Sequence, residues 1–248
     1  MNFSNALVLA GIEHYSLQKF LSILLNESAF DFRECCRNLY GMPLCLRGTP
    51  LPFQKLKTLL DGVTVGGRKL SDLEQILNLA ESSKVLLEMV KGNKFFLNKA
   101  VLCELHNIIA RNEALEWGHF RGEGKELNYT PDVSLGEHGR YTPLPTLKDA
   151  PELNKMFNQA TDVLVRCVSN SFEKALAFFL HGALQQYFFD GNKRTSRTMM
   201  NGLLMANGID AISVPAAKVH EFNEKMVQFY LTKDATVMVE FLGSLVPG

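Results

Sequence analysis

The chain has no excess of charge of either sign. Its 26 lysines and arginines are matched by 26 aspartates and glutamates, so no long-range field draws it to nucleic acid or to an anionic membrane. An anion would have to be recognised locally. No run approaches the roughly eighteen apolar residues that a membrane-spanning helix needs, and the N-terminus has no basic stretch followed by a clean apolar core and a small-residue cleavage site. The five cysteines, Cys35, Cys36, Cys45, Cys103 and Cys167, are odd in number. They form no C-x-x-C pair and no zinc-ligand spacing with histidine, which fits a reduced, cytoplasmic setting. Period-two alternation between turn signals is scarce, and there is no internal repeat or low-complexity tract.

What remains is a helical pattern. With 248 residues, 46% hydrophobic and 21% charged, the chain can bury a core for one large or two intimately packed domains. A first helical segment over about Ser4 to Asn26 carries Leu17, Phe20, Leu21, Leu24 and Leu25 at i, i+3, i+4, i+7 and i+8, one apolar stripe. Ser28 with Asp31 resembles a capping arrangement for a second. Ser71, followed by Asp72 and Glu74, predicts a capped helix to about Lys91, and Asn98 opens another to about Asn112. Further helices are predicted over about Pro151–Val168, Ser171–Tyr187, Lys193–Asn207, Ala216–Leu231 and Ala235–Leu245. Between Gly118 and Pro145 the many glycines and prolines preclude a helix, and so long a loop in a compact domain is commonly functional or disordered.

Chemistry concentrates in Gln186-Tyr-Phe-Phe-Asp-Gly-Asn-Lys-Arg-Thr-Ser-Arg197. Asp190 precedes a tight Gly191–Asn192 turn, and Lys193, Arg194 and Arg197 follow where a helix should start. Backbone N–H groups at a helix N-terminus point at anionic oxygens. Arginines add charge-assisted contacts, and a neighbouring carboxylate can hold Mg²⁺ beside a phosphate.

This stretch resembles the signature of the Fic (Fido) family, H-x-F-x-D/E-G-N-G-R-x-x-R between two helices, and matches it at Phe188, Asp190, Gly191, Asn192, Arg194 and Arg197. It departs at Gln186, where the family has histidine, and at Lys193, where it has a second glycine. The resemblance extends from about residue 46 to the C-terminus. Leu102–His106 is similar to the family's helix ahead of a substrate-binding flap, Gly118–Arg121 to the G-x-Y/F-R that opens the flap, and Pro143–Pro145 to its exit. It implies an all-α, Fic-type helical bundle with a short irregular or β-hairpin flap, divided into an N-terminal helical region over residues 1–95 and a Fic core over 96–248. The run Thr64–Ser71 resembles the family's inhibitory core, with Gly66 in the place of the inhibitory glutamate that pairs with the motif's last arginine. A glycine makes no such pair, so glutamate-type inhibition should be absent.

The resemblance also implies roles. The family histidine takes a proton from a target hydroxyl that attacks a nucleotide phosphate in line. Gln186 stands in that catalytic place, and its amide does not titrate near neutral pH. Loss of a general base removes ~10² to 10⁴ in rate. Asp190 would hold Mg²⁺; Gly191, Asn192, Lys193, Arg194, Arg197 and Asn201 would hold ATP. Each residue also has a plainer reading. Gln186 would hydrogen-bond the loop at a helix end, Asp190 would cap the next helix, and Asn192 would be a turn asparagine. Arg194 and Arg197 would form a solvated basic face. His181 is predicted to face roughly 140° away from the motif on its helix, as a core histidine. His106 gives no signal, and His119 and His138 lie at or in the flap.

The leading expectation is therefore a Fic-fold protein that binds a nucleoside phosphate, ATP with Mg²⁺, with absent or impaired AMP transfer to a protein hydroxyl. Two enzymatic alternatives stay open. One is an active protein adenylyltransferase; the other is a phosphotransferase, because a lysine in the place of Lys193 accompanies phosphoryl transfer in toxin-like relatives. A third alternative is a non-catalytic interaction scaffold. The expected partners are the nucleotide and a target protein docking on the 118–145 flap, with no nucleic acid and no membrane, and a homodimer stays open.

Overall fold

The computed structural model of the chain describes residues 70–246. Its elements are α1 (Leu70–Lys91), α2 (Lys99–Ile109), β1 (Val133–Ser134), β2 (Arg140–Tyr141), α3 (Pro151–Cys167), α4 (Ser171–Gln185), α5 (Asn192–Ala206), α6 (Val219–Thr232) and α7 (Thr236–Gly243). The fold is all-α with one small hairpin. The segment Ser4–Asn26, the cap at Ser28 and residues 64–69 of the inhibitory-like run, Gly66 included, lie outside the described residues. α1 already begins at Leu70, so Ser71 lies inside it and is not its cap.

Helix starts follow local chemistry. Asn98 accepts the Val101 N–H at 2.9 Å, and Asn170 accepts those of Phe172 and Glu173 at 2.9 and 3.1 Å, each satisfying donors that a first turn leaves without partners. α3 opens with Pro151, whose missing N–H costs nothing at that position. α4 is buried almost all round, from Phe172 to Leu184, and is the central rod of the core. α5 folds back along it: Gly182 lies against Ser196 and Gln186 against Asn192, two pairs centred on residue 189, so the helices are antiparallel. A Cβ on Gly182 would sit 2.2 Å from Ser196 Oγ, and only glycine allows this approach.

α4 ends at Gln185, two residues before the sequence suggests. Gln186 turns left-handed, with φ 49° and ψ 59°, and starts the loop to α5. The glycine-rich stretch after α2 forms the flap, an antiparallel hairpin with Val133 opposite Tyr141 and Ser134 opposite Arg140. Tyr141 lies 5.1 Å from the Tyr230 ring of α6, with Lys233 Nζ 4.0 Å from the Tyr141 ring centre. The hairpin therefore rests on α6. Among the described residues no helix is long and apolar enough to cross a membrane.

Candidate functional site

The loop between α4 and α5 is braced from within. Asn192, 5% exposed, accepts the Phe188 N–H at 2.9 Å and donates to the Phe188 carbonyl at 2.8 Å and to Gln186 Oε1 at 3.0 Å. The amide thus bonds back across the turn at both of its ends. Gln186 is equally engaged: its Nε2 donates to the Ala183 carbonyl at 2.6 Å and lies 3.4 Å from Tyr230 Oη. This is the loop-bonding arrangement read as the plainer role of Gln186.

Gly191 occupies the N-cap of α5 with φ 74°, left-handed backbone that favours glycine. A Cβ there would stand 3.3 Å from that of Ala110. Asp190 is not the cap, contrary to its plainer reading. Its Oδ1 accepts the Gly191 N–H at 2.5 Å, one residue too early to serve the first-turn amides, and α5 has no side-chain cap. The positive end of the helix dipole thus lies beside a carboxylate that is 53% exposed.

Of the cations, Lys193 is exposed on the first turn of α5, and Arg194 and Arg197 are half-buried. Arg194 has a partner that the motif does not suggest. Its Nη1 and Nη2 meet the buried carboxylate of Glu113 at 3.1 and 2.8 Å, and Nη2 lies 3.7 Å from Asp190 Oδ1. One hydrogen bond, from Nη1, and the ion-pair contact of Nη2 tether the guanidinium beside the loop. Asn201 lies farther along α5, where its amide bonds the Ile212 N–H at 3.0 Å and the Ile212 carbonyl at 3.2 Å, pinning the chain after α5.

Two residues complete the frame. Arg121, wholly buried, donates to the Gln186 carbonyl at 2.6 Å, Thr146 Oγ1 at 2.9 Å and the Leu144 carbonyl at 2.6 Å. It ties the flap's return to residue 186, and burial lowers its pKa to about 10, leaving it charged at neutral pH. His106, also wholly buried, accepts the Gly118 N–H on Nδ1 at 3.1 Å. The ring proton then belongs to Nε2, which donates to the Asp190 carbonyl at 3.0 Å. Burial lowers the His106 pKa to about 4, against the opposing effect of the Asp190 carbonyl. Neither His106 nor Glu113 was legible as a site residue; the single hint was a histidine on the apolar stripe Val101, Leu102, Leu105, Ile109 of α2.

The two buried histidines nearest residue 186 are both held by hydrogen bonds. His106 has both ring nitrogens bonded, and His181 is buried with Nε2 2.6 Å from Tyr187 Oη, a core histidine as its helical position predicts. Outside the core, His119 lies 3.4 Å from Glu116 and His138 sits in the hairpin turn. Among the described residues no group of three or more His, Cys, Asp or Glu is gathered to hold a metal. One half-exposed carboxylate suits Mg²⁺ only in company with a phosphate, which would also offset the nearby cations, since the ion takes one or two protein carboxylates and completes its shell with phosphate and water.

The Fic/DOC family profile matches residues 96–204, from the start of α2 to near the end of α5. Among solved structures, Fic-1 from C. elegans superposes with a TM-score of 0.68 at 15% identity, covering 98% of this chain and 68% of that one. A Fic domain containing signaling protein from Bacteroides thetaiotaomicron gives 0.65 at 17% identity, with 98% and 92% covered. A Fic family protein from Desulfovibrio desulfuricans gives 0.65 at 15%, with 98% and 71% covered. At such identities the structural likeness is one of fold. No curated protein sequence matches the chain.

Proposed function

Starting from a chain that belongs to the Fic/DOC family through residues 96–204, we propose that it binds a nucleoside phosphate, ATP with Mg²⁺, at the Asp190–Arg197 loop and transfers AMP to a protein hydroxyl poorly or not at all. The observation that carries this reading is the state of residue 186. The Gln186 amide has its nitrogen on the Ala183 carbonyl and its oxygen on Asn192, so it is a brace of the loop with no titratable group to accept a proton. Three features around it support the reading: an α5 N-terminus without a side-chain cap, an exposed Asp190 carboxylate and cations on the first turns of α5.

In this reading Asp190 holds Mg²⁺, which when bound supplies charge neutralisation to the phosphates. The chain's own residues do the rest. Gly191 lets the backbone come close, Asn192 keeps the turn in shape, and Lys193, Arg194 and Arg197 add positive charge. Lys193 favours a second reading, phosphoryl instead of nucleotidyl transfer, because its long cationic side chain stands on the first turn where a further phosphate would lie. The flap is the docking edge for a target protein.

Thermal unfolding with ATP and Mg²⁺, and a mass-spectrometric transfer assay on wild type and Gln186→His, test the proposal. Nucleotide should raise the wild-type melting temperature, since a ligand bound to the native state alone stabilises it. Transfer should be ~10² to 10⁴ lower in wild type than in the histidine variant. Equal transfer by both proteins would overturn the impaired-transfer reading, and no thermal shift at large ligand excess would leave a scaffold. Mass added as phosphate in place of AMP would select the second reading.

A further inference from the structure

We infer that His106 is a positioning residue for the phosphate loop, holding Asp190 by its backbone so that the carboxylate is presented to a metal-linked phosphate in one fixed place. The inference rests on the Mg²⁺-nucleotide reading above and adds to it a residue from a different helix.

One imidazole contacts three residues of the loop. Nε2 donates to the Asp190 carbonyl at 3.0 Å. The ring lies against Phe188 with centres 3.6 Å apart and planes 7° from parallel. The turn at Gly191 passes so close that a Cβ there would be 3.5 Å from His106 Cδ2 and Nε2. On its other edge, Nδ1 accepts the N–H of Gly118, where the flap opens. That bond leaves Nε2 as the protonated nitrogen, so the flap entrance dictates the tautomer that grips Asp190. Any buried imidazole needs partners for its nitrogens; what sets this one apart is that both partners are main-chain groups, one at the flap entrance and one in the loop itself. The carbonyl of a half-exposed aspartate in a turn would otherwise have solvent as its partner, and the carboxylate would swing with the peptide. Partners one shell out from a metal site typically change metal affinity by 10- to 100-fold when removed.

Two substitutions divide the ring's roles. In His106→Asn the side-chain oxygen takes the place of Nδ1 and keeps the Gly118 bond, while the donor to Asp190 is lost. In His106→Gln the side-chain nitrogen takes the place of Nε2 and keeps the donor, while the acceptor for Gly118 is lost. ATP affinity is measured by calorimetry with and without magnesium chloride on the full chain. The gain in ATP affinity caused by magnesium, taken as the ratio of affinities with and without it, should fall about tenfold in the asparagine variant and be retained in the glutamine variant.

Retention of the gain in His106→Asn overturns the inference, as does an equal loss with and without magnesium in both variants, which is the mark of a purely structural residue. If only His106→Gln folds, loss of its magnesium gain overturns the inference by itself. Wild type that binds no ATP under either condition removes the nucleotide reading, and this inference with it. Wild type with a clear magnesium gain that the asparagine variant shares removes the positioning role alone.

Discussion

The loop between α4 and α5 holds two sets of side chains with opposite fates. Gln186, Tyr187, Phe188 and Asn192 turn inward, and their polar atoms bond to one another, to His181 or to nearby backbone. Asp190 and Lys193 turn outward, with Arg194 and Arg197 at the boundary. The inward set makes the turn and the outward set gives it charge. Residue 186 is where the two sets meet chemically: a titratable ring there would belong with the reacting groups, whereas the amide belongs with the braces. The shape of the turn and its charge are thus supplied by separate side chains.

Removing an inward brace should cost most. Asn192→Ala leaves the Phe188 N–H, the Phe188 carbonyl and Gln186 Oε1 without their partner, and at about 1–3 kcal/mol for each buried group left unsatisfied a total loss of about 4 kcal/mol is expected in urea denaturation. Acid should act next, through His106. Its native pKa, about 4, lies below its ordinary value of 6.5, so between these values the unfolded chain binds more protons than the folded one. Stability from this group is complete above pH 6.5 and is lost as pH falls toward 4, by about 3 kcal/mol at most. Melting curves across that range should show the decline, and His106→Gln should flatten it.

Gly191→Ala forces a Cβ into a left-handed turn and against Ala110, costing about 1–2 kcal/mol, measurable by the same denaturation. Asp190→Asn should be nearly silent in stability, within about 0.5 kcal/mol as for most surface changes, yet abolish the magnesium-dependent part of ATP binding in calorimetry. Were Asp190→Asn to destabilise the chain as much as Asn192→Ala, the division between braces and charge carriers would not stand.

Much of this was legible beforehand. The cap at Asn98, the proline start of α3 and the run of α4 follow from local residue order, and the structure places each within a few residues of expectation. The end of α4 came out two residues early because Gln186 takes a left-handed conformation, enforced by its bonds to Ala183 and Asn192 and by Arg121 on its carbonyl. Glutamine has no intrinsic preference for that state, so nothing nearby in the chain announces it. Asn201, expected among the nucleotide ligands, lies with both ends of its amide on Ile212, a pairing across a connection whose path local periodicity does not encode.

Read alone, the order of residues settles an all-α chain, a turn flanked by one acid and several bases, and the want of a titratable group at residue 186. These are local properties: they depend on spacing of 3.6 residues per turn, on turn-forming types, and on side-chain chemistry that is the same wherever the residue lies. The bracing of the loop by His106, Arg121 and Glu113 was settled by packing, since those residues come from 65 to 84 positions earlier in the chain. Two of them grip main-chain carbonyls, and because every residue carries one, such a bond leaves no mark on the identity of its acceptor.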